Sequence, residues 1–482
     1  MNELDHLVRS CMLPGVTGAA LPSWVSEGLE AGFPGITVFP GAHLHDPATI
    51  GRLAAAAREH RDDALVSLDE EGGDVTRLEY GTGSSYPGNL ALGVVDDEDL
   101  TGRVAAAMAR GLVSNGVNYN LAPSVDVNSD PDNPIIGVRS FGATPERVAP
   151  HGAAFIGAMQ DAGVAVAAKH FPGHGDTTAD PHRSLPTVTC SAATLRLREL
   201  VPFAAVADAA SLMVAHVVYT ALDAGSPATL SPVVLRDVLR AELGYQGVAL
   251  STAVAIEAGN GPEAATRAAV ATLAAGCDLV LLGPAVDEAL YARVHAAVAD
   301  AVRSGDLPAA ALEEASERVS RMRRRFAPRP GAGRHRETAA ADAAVGMEAA
   351  RRAVRARGRV GLPGPATVVE VRTEANSVVG GAAWSLADAL AAHGLTRRAV
   401  RIDGPGAAIG QADGPLVIAV RDAYRTPWTR EWTQKALAER PDAILVVVGM
   451  PDDEALAGEA CVCTFGAGRA NLRAAAELLA RS

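Results

Sequence analysis

Short apolar runs recur along the first two thirds of the chain. They fall at residues 35–39 (GITVF), 65–68 (LVSL), 117–122 (VNYNLA), 164–168 (VAVAA), 212–215 (LMVA), 247–250 (GVAL) and 279–282 (LVLL). Each is short enough for a buried strand. Between them lie Ala-rich stretches such as 50–60 and 97–115, whose apolar residues recur at helical spacing. Strand–helix alternation repeated seven or eight times predicts an α/β fold, a (β/α)8 TIM-like barrel. The other arrangement to weigh is a doubly wound open sheet. That fold carries a Gly-rich phosphate turn after its first strand, and no such turn is present.

The pattern changes after 318–325 (RVSRMRRR), which reads as the end of a basic helix. Residues 326–341 (FAPRPGAGRHRETAAA) hold two Pro, two Gly and many polar side chains, the composition of a linker. Further strand-like runs follow at 367–371, 416–420 and 444–448, separated by helical segments. The expected organisation is a barrel over 1–325, a linker over 326–345 and a smaller α/β sandwich domain over 346–482.

Composition narrows the classes. At 482 residues, 48% apolar and 21% charged, the chain has the make-up of a globular protein with more than one core. A net charge of -13, with no Lys/Arg cluster interleaved with aromatics, argues against nucleic acid as a partner. No run of about 20 apolar residues appears, so no membrane span is expected. The first residues lack a basic region followed by a long apolar one, so no secretory signal is expected. Five scattered cysteines suit a reducing compartment; the expected location is cytoplasmic. Cys461 and Cys463 could form half of a metal site, but no second pair follows, and ordinary strand cysteines are the preferred reading.

Chemistry concentrates where the apolar runs stop, which in a parallel barrel is the active face. The run at 164–168 feeds into 169–186, KHFPGHGDTTADPHRSLP. Those eighteen positions hold three histidines, two aspartates, a lysine and an arginine on a Gly- and Pro-rich loop. The run at 65–68 is followed by Asp69, Glu70, Glu71, Gly72 and Gly73, with Arg77 beyond. The run at 117–122 leads to Arg139, Ser140 and Phe141, that at 212–215 to His216, and that at 247–250 to Ser251 and Thr252. Any one of these side chains could simply cap a turn. Their convergence on one face points to a substrate pocket.

Taken together, Asp69 with Glu71-Gly72-Gly73 and Arg77, Arg139-Ser140, the KHFPGHG…D-x-H segment and Ala215-His216 resemble glycoside hydrolase family 3, in particular its β-N-acetylglucosaminidase branch. The resemblance covers the first domain in order, and the domain after it looks like the smaller α/β domain that many members carry. It implies that His182 is the general acid/base, with Asp180 as its partner. The pairing makes chemical sense, because a carboxylate orients the imidazole and stabilises its charged form. It further implies that Asp69, Arg77, Arg139, Lys169 and His170 bind sugar hydroxyls and the N-acetyl group. His174 is assigned to the loop structure, and His216 to the site or to packing beside it. The expected partner is a small carbohydrate or glycoside, with no cofactor and no metal; the oligomeric state is left open.

One position departs from the resemblance. A retaining glycosidase needs a carboxylate to attack the anomeric carbon; the resemblance implies that in this branch it is an Asp following Ser or Thr just after a barrel strand. Residues 244–251 (GYQGVALS) fit that context, but the next residue is Thr252, and Ala253 and Val254 follow. Glu257, the next carboxylate, is expected inside a helix. A neutral hydroxyl cannot replace the charge directly. Three readings stand: an enzyme of weak or altered mechanism, a sugar-binding protein without turnover, and a metal-dependent hydrolase using His170, His174, Asp176, Asp180 and His182. Against the last, the Pro172-Gly173 break keeps His170 and His174 off a shared helix face.

Overall fold

The computed structural model describes residues 3–41, 46, 48–179, 185–252, 261–328, 338–373, 384–407 and 413–481. Eight parallel strands make the first sheet: β1 (Met12–Val16), β2 (Gly35–Val38), β3 (Leu65–Leu68), β4 (Tyr119–Asn120), β5 (Ala165–Phe171), β6 (Ser211–Val214), β7 (Val248–Ser251) and β8 (Val280–Gly283). They neighbour one another in chain order from β1 to β7, and β8 returns beside β1. The backbone N–H of Ser251 donates to the carbonyl of Leu279 at 2.9 Å and joins β7 to the start of β8. The sheet is therefore a TIM-like barrel with helices outside it.

Seven strands coincide with the apolar runs, but β1 lies before the first of them. Its sequence, MLPGV, contains Pro14 and Gly15, both poor strand formers. Burial on both faces overrides propensity here, since Met12, Leu13 and Val16 are at most 1% exposed. The barrel interior is filled by Leu13, Leu65, Tyr119, Leu121, Leu250 and Leu281, among others. Its lower end is closed by Val319, Met322 and Phe326 at the end of the helix Ala309–Arg325. Asn118, just before β4, ties this plug down by donating from Nδ2 to the carbonyl oxygens of Phe326 (3.0 Å) and Ala64 (3.2 Å). With one end plugged by apolar side chains, the polar residues are left to the C-terminal ends of the strands.

A second, six-stranded sheet forms an α/β domain from β9 (Arg355–Arg357), β10 (Ala366–Val371), β11 (Thr396–Ile402), β12 (Leu416–Val420), β13 (Ile444–Val447) and β14 (Cys461–Cys463), in the order β9-β14-β13-β12-β10-β11. All neighbours are parallel except β9 and β14. Cys461 and Cys463 are buried free thiols within β14. The helix Ala339–Ala353 begins inside the span expected as linker, 326–345. Residues 329–337 of that span lie outside the described residues.

The second domain packs on the loops at the active end of the barrel. Val138 and the barrel helix residues Leu90 and Ala91 share a core with Ile418, Leu445 and Phe465. Polar contacts frame this seam. Asp74 accepts the Ala467 backbone N–H at 2.6 Å and pairs with Arg421 at 2.6 Å. Arg469 pairs with Glu79, and Arg425 donates to the Asn133 carbonyl at 3.2 Å. Gly346 lies so close to the barrel that a Cβ there would sit 2.1 Å from the Ser85 carbonyl oxygen.

Asp74 is 2% exposed on its side chain, so removing its cation leaves a buried, under-compensated charge. Arg421→Met is expected to destabilise the chain by about 3 kcal/mol, measured by urea unfolding. An unchanged midpoint would show that the seam does not depend on this pair.

Candidate active site

The site begins at the end of β3, where the chain leaves the ladder at Asp69, Glu70 and Glu71. Each of the three carboxylates has a different task. Glu70 faces its own loop: its Oε2 accepts the backbone N–H groups of Arg77 (2.8 Å) and Leu78 (3.0 Å). Its backbone is also locked to Asn120 at the end of β4, through Glu70 N to Oδ1 at 3.0 Å and Nδ2 to Glu70 O at 2.9 Å. Glu71 faces Arg139 in a two-pronged pair, Nε to Oε2 at 2.9 Å and Nη2 to Oε1 at 2.8 Å. Asp69 faces the opening and keeps 18% of its side-chain surface.

Lys169, at the end of β5, joins two of these carboxylates. Its ammonium lies 2.8 Å from Asp69 Oδ1 and 2.7 Å from Glu71 Oε1, and also donates to the Leu121 carbonyl. An ammonium has three donors, and here three acceptors take them. Arg139 is similarly committed to Glu71 and to the Ile135 carbonyl at 2.9 Å. Arg77 is 2% exposed and lies 3.8 Å from Asp69 Oδ2. The cations thus hold the carboxylates in place, and Asp69 is the member of the cluster turned toward solvent. Burial works to raise the pKa of Glu71, but the charges of Arg139 and Lys169 and their hydrogen bonds outweigh it and hold Glu71 well below the carboxylate range. Asp69 is held low against burial by Lys169 and then Arg77.

His170 follows Lys169 and steps out of the β5–β6 register: Lys169 pairs with Met213 and Phe171 with Val214. Such an irregularity re-aims a side chain. The His170 ring meets Asp126, with Nδ1 2.7 Å from Oδ2, and the His170 backbone N–H donates to Asp126 Oδ1 at 3.0 Å. His174 is fixed by the loop it belongs to. Its Nδ1 lies 2.7 Å from Thr177 Oγ1, and its carbonyl accepts from Asn133 Nδ2 at 2.8 Å. Burial pushes the His174 imidazole down to about 4. His216 is held through Nδ1 by Thr229 Oγ1 at 2.7 Å. Thr252, half-buried, is the residue immediately after β7, beside β6 and its extension to His216.

Asp69, Arg77, Arg139, Lys169, His170, His216 and Thr252 therefore all lie on loops or strand ends at one end of the barrel, and the first four form one ionic cluster. His182 and Asp180 lie outside the described residues, as does Glu257. The sequence assigns no role to two carboxylates. Glu71 reads there as part of a loop motif, but it is the shared partner of Arg139 and Lys169. Asp126 sits between Val125 and Val127, and all three are fully buried. A lone charge inside an apolar triplet was the available signal. Among the described residues, no group of three or more His, Cys, Asp or Glu side chains is arranged to hold a metal. The second domain reaches the rim, where Phe465 and Gly466 line a small cavity with Glu71, Gly73 and Arg139.

Carboxylates and histidines set around the open end of a TIM-like barrel, over a buried cationic cluster, suit the recognition of a polyhydroxylated ligand. Residues 22–322 match the glycosyl hydrolase family 3 N-terminal domain, and the chain belongs to that family. Its relatives include the beta-hexosaminidase of Pseudomonas aeruginosa, 35% identical over 253 residues, which cover 52% of this chain and 74% of that protein. Beta-hexosaminidase A of Pseudoalteromonas piscicida is 34% identical over 294 residues, covering 56% of this chain. The match spans about half of that protein's length (49%). Among solved structures, a glycoside hydrolase family 3 beta-N-acetylglucosaminidase from Paenibacillus sp. str. FPU-7 superposes with a TM-score of 0.89 at 28% identity. The alignment covers 100% of this chain and 97% of that one.

Two predictions follow from these electrostatics. Lys169→Met leaves Asp69 and Glu71 facing each other without their shared cation. A loss of about 3–5 kcal/mol is expected, measured by chemical unfolding at pH 7; a change below about 1 kcal/mol would show that the cluster does not depend on the ammonium. Glu70 is pushed by burial up to about 7 from its ordinary 4.5, against the hydrogen bonds it accepts. Between those values the folded state holds a proton that the unfolded chain has released, so this group's contribution to stability falls as pH rises through that window. Glu70→Gln should remove that loss, which amounts to about 1.4 kcal/mol per pKa unit. Unfolding midpoints at pH 5 and pH 7.5 then differ less in the variant; equal slopes in both proteins would refute the assignment.

Proposed function

We propose that this chain takes a terminal β-linked N-acetylglucosamine-type sugar into the barrel pocket and processes it weakly, because Thr252 stands where the family's carboxylate nucleophile is expected. The observation that carries this reading is a contrast within one site. The cluster of Asp69, Glu71, Lys169 and Arg139 is assembled with ion pairs of 2.7–2.8 Å, with Arg77 3.8 Å from Asp69, whereas the residue following β7 is a neutral threonine. The names of the Pseudomonas relative and of the Paenibacillus structure support the choice of an N-acetylated amino sugar.

In this reading Asp69 accepts sugar hydroxyls, held in place by Lys169 and Arg77. His170 and His216 face the same ligand from the neighbouring strand ends. His182, with Asp180 two residues earlier as its partner, supplies the proton to the leaving oxygen. Thr252 contributes neither a nucleophile nor a negative charge beneath an oxocarbenium-like transition state. Losing such a group costs on the order of 10³–10⁶ in rate, or roughly 4–8 kcal/mol. Binding of a cell-wall fragment or free amino sugar without turnover is the limiting form of the same reading, favoured by the completeness of the ionic cluster.

The test is hydrolysis of a nitrophenyl β-N-acetylglucosaminide by the natural chain and by Thr252→Asp. The variant is expected to be faster by about 10² or more. If the natural chain is already as fast and loses its activity in His182→Ala, another group supplies the nucleophile and the reading of Thr252 fails.

A further inference from the structure

We propose that Asp126 is a positioning residue that fixes the ring tautomer of His170, so that His170 Nε2 serves as a hydrogen-bond acceptor for a ligand hydroxyl. The inference rests on the reading of the barrel pocket as a sugar site.

Asp126 is fully buried, and its two oxygens take part in four hydrogen bonds. Oδ1 accepts the backbone N–H groups of His170 (3.0 Å) and His174 (2.7 Å), and Oδ2 accepts Ser124 Oγ at 2.8 Å and lies 2.7 Å from His170 Nδ1. An ionised carboxylate only accepts, so the proton between them belongs to His170 Nδ1. Asp126 stays ionised. Burial works to raise its pKa, but the charge and hydrogen bonds of His170, with the charge of His174, outweigh it. A second proton on the ring is opposed by burial, which holds His170 below its ordinary value despite Asp126. Neutral His170 with a proton on Nδ1 leaves a lone pair on Nε2.

The placement favours a ligand as the partner of that lone pair. Asp126 keeps no exposed side-chain surface, whereas His170 keeps 11%, at the point where the β5–β6 register breaks. The adjacent turn is held from its other side, since Tyr219 donates its hydroxyl to the Gly173 carbonyl at 2.7 Å. His170 is thus clamped through ring and backbone on the Asp126 side. A ligand reaching it must offer an O–H or N–H, which a sugar hydroxyl does and a fluorine does not.

The experiment is nitrogen-15 NMR of the full chain labelled at histidine, with His170 assigned by His170→Gln and N-acetylglucosamine as the probe. In the natural chain at pH 7, Nδ1 is expected to be pyrrole-like and Nε2 pyridine-like, and sugar should shift Nε2. An Nε2-protonated or doubly protonated ring would overturn the proposal. In Asp126→Asn the side-chain amide can donate to Nδ1, so the tautomer should reverse and sugar binding weaken tenfold or more. Unchanged binding with a reversed tautomer would also overturn it. If Asp126→Asn does not fold, the natural chain's spectrum and its response to sugar decide alone. If the natural chain binds no sugar by any signal while showing the expected tautomer, the sugar reading fails and the acceptor role fails with it. The tautomer assignment to Asp126 then stands separately.

Discussion

The Lys169 ammonium is the interaction on which the rest of the site depends. It lies at the end of β5, almost without solvent exposure, between two carboxylates delivered by the loop after β3. Such a charge is tolerated inside a protein only when its donors are satisfied. Asp69, Glu71 and the Leu121 carbonyl satisfy them together, and Arg139 balances the second carboxylate. The consequence is geometric as well as energetic. Asp69 cannot swing away without leaving one ammonium donor unpaired, so a carboxylate is held toward the open end of the barrel before any ligand arrives.

The same constraint links the two domains. Glu71 and Asp74 are three residues apart on one loop. Glu71 is gripped by barrel cations, and Asp74 by Arg421 and the Ala467 backbone of the second domain. The loop is therefore tied from both sides, and Phe465 and Gly466 complete the rim beside Arg139. The second domain acts as a buttress for the loop that bears Asp69.

Much of the barrel was legible from apolar runs, because both faces of a parallel barrel strand are buried and the runs stand out as continuous. The first strand was not, since Pro14 and Gly15 interrupt the pattern that burial then overrides. In the second domain, β11 is not legible as a strand because this edge strand of sequence TRRAVRI exposes Arg397, Arg398 and Arg401. The cluster of Asp69, Arg77, Arg139 and Lys169 could be anticipated from the way polar residues follow the runs. Glu71 and Asp126 could not be given their roles. Their partners lie 68 and 44 positions away, and only the closed barrel brings them within hydrogen-bond distance. His182 and Asp180 rest on the family resemblance.

The central claim is a preassembled sugar pocket whose ligand-facing carboxylate is Asp69. Calorimetric titration of N-acetylglucosamine into the natural chain and into Asp69→Ala tests it most directly, with thermal unfolding of both proteins confirming that each is folded. Saturable binding to the natural chain that weakens at least about tenfold in a folded Asp69→Ala, a loss of about 1.4 kcal/mol or more, is the predicted result. Equal affinity in the two proteins, or no binding to the natural chain, would contradict the account.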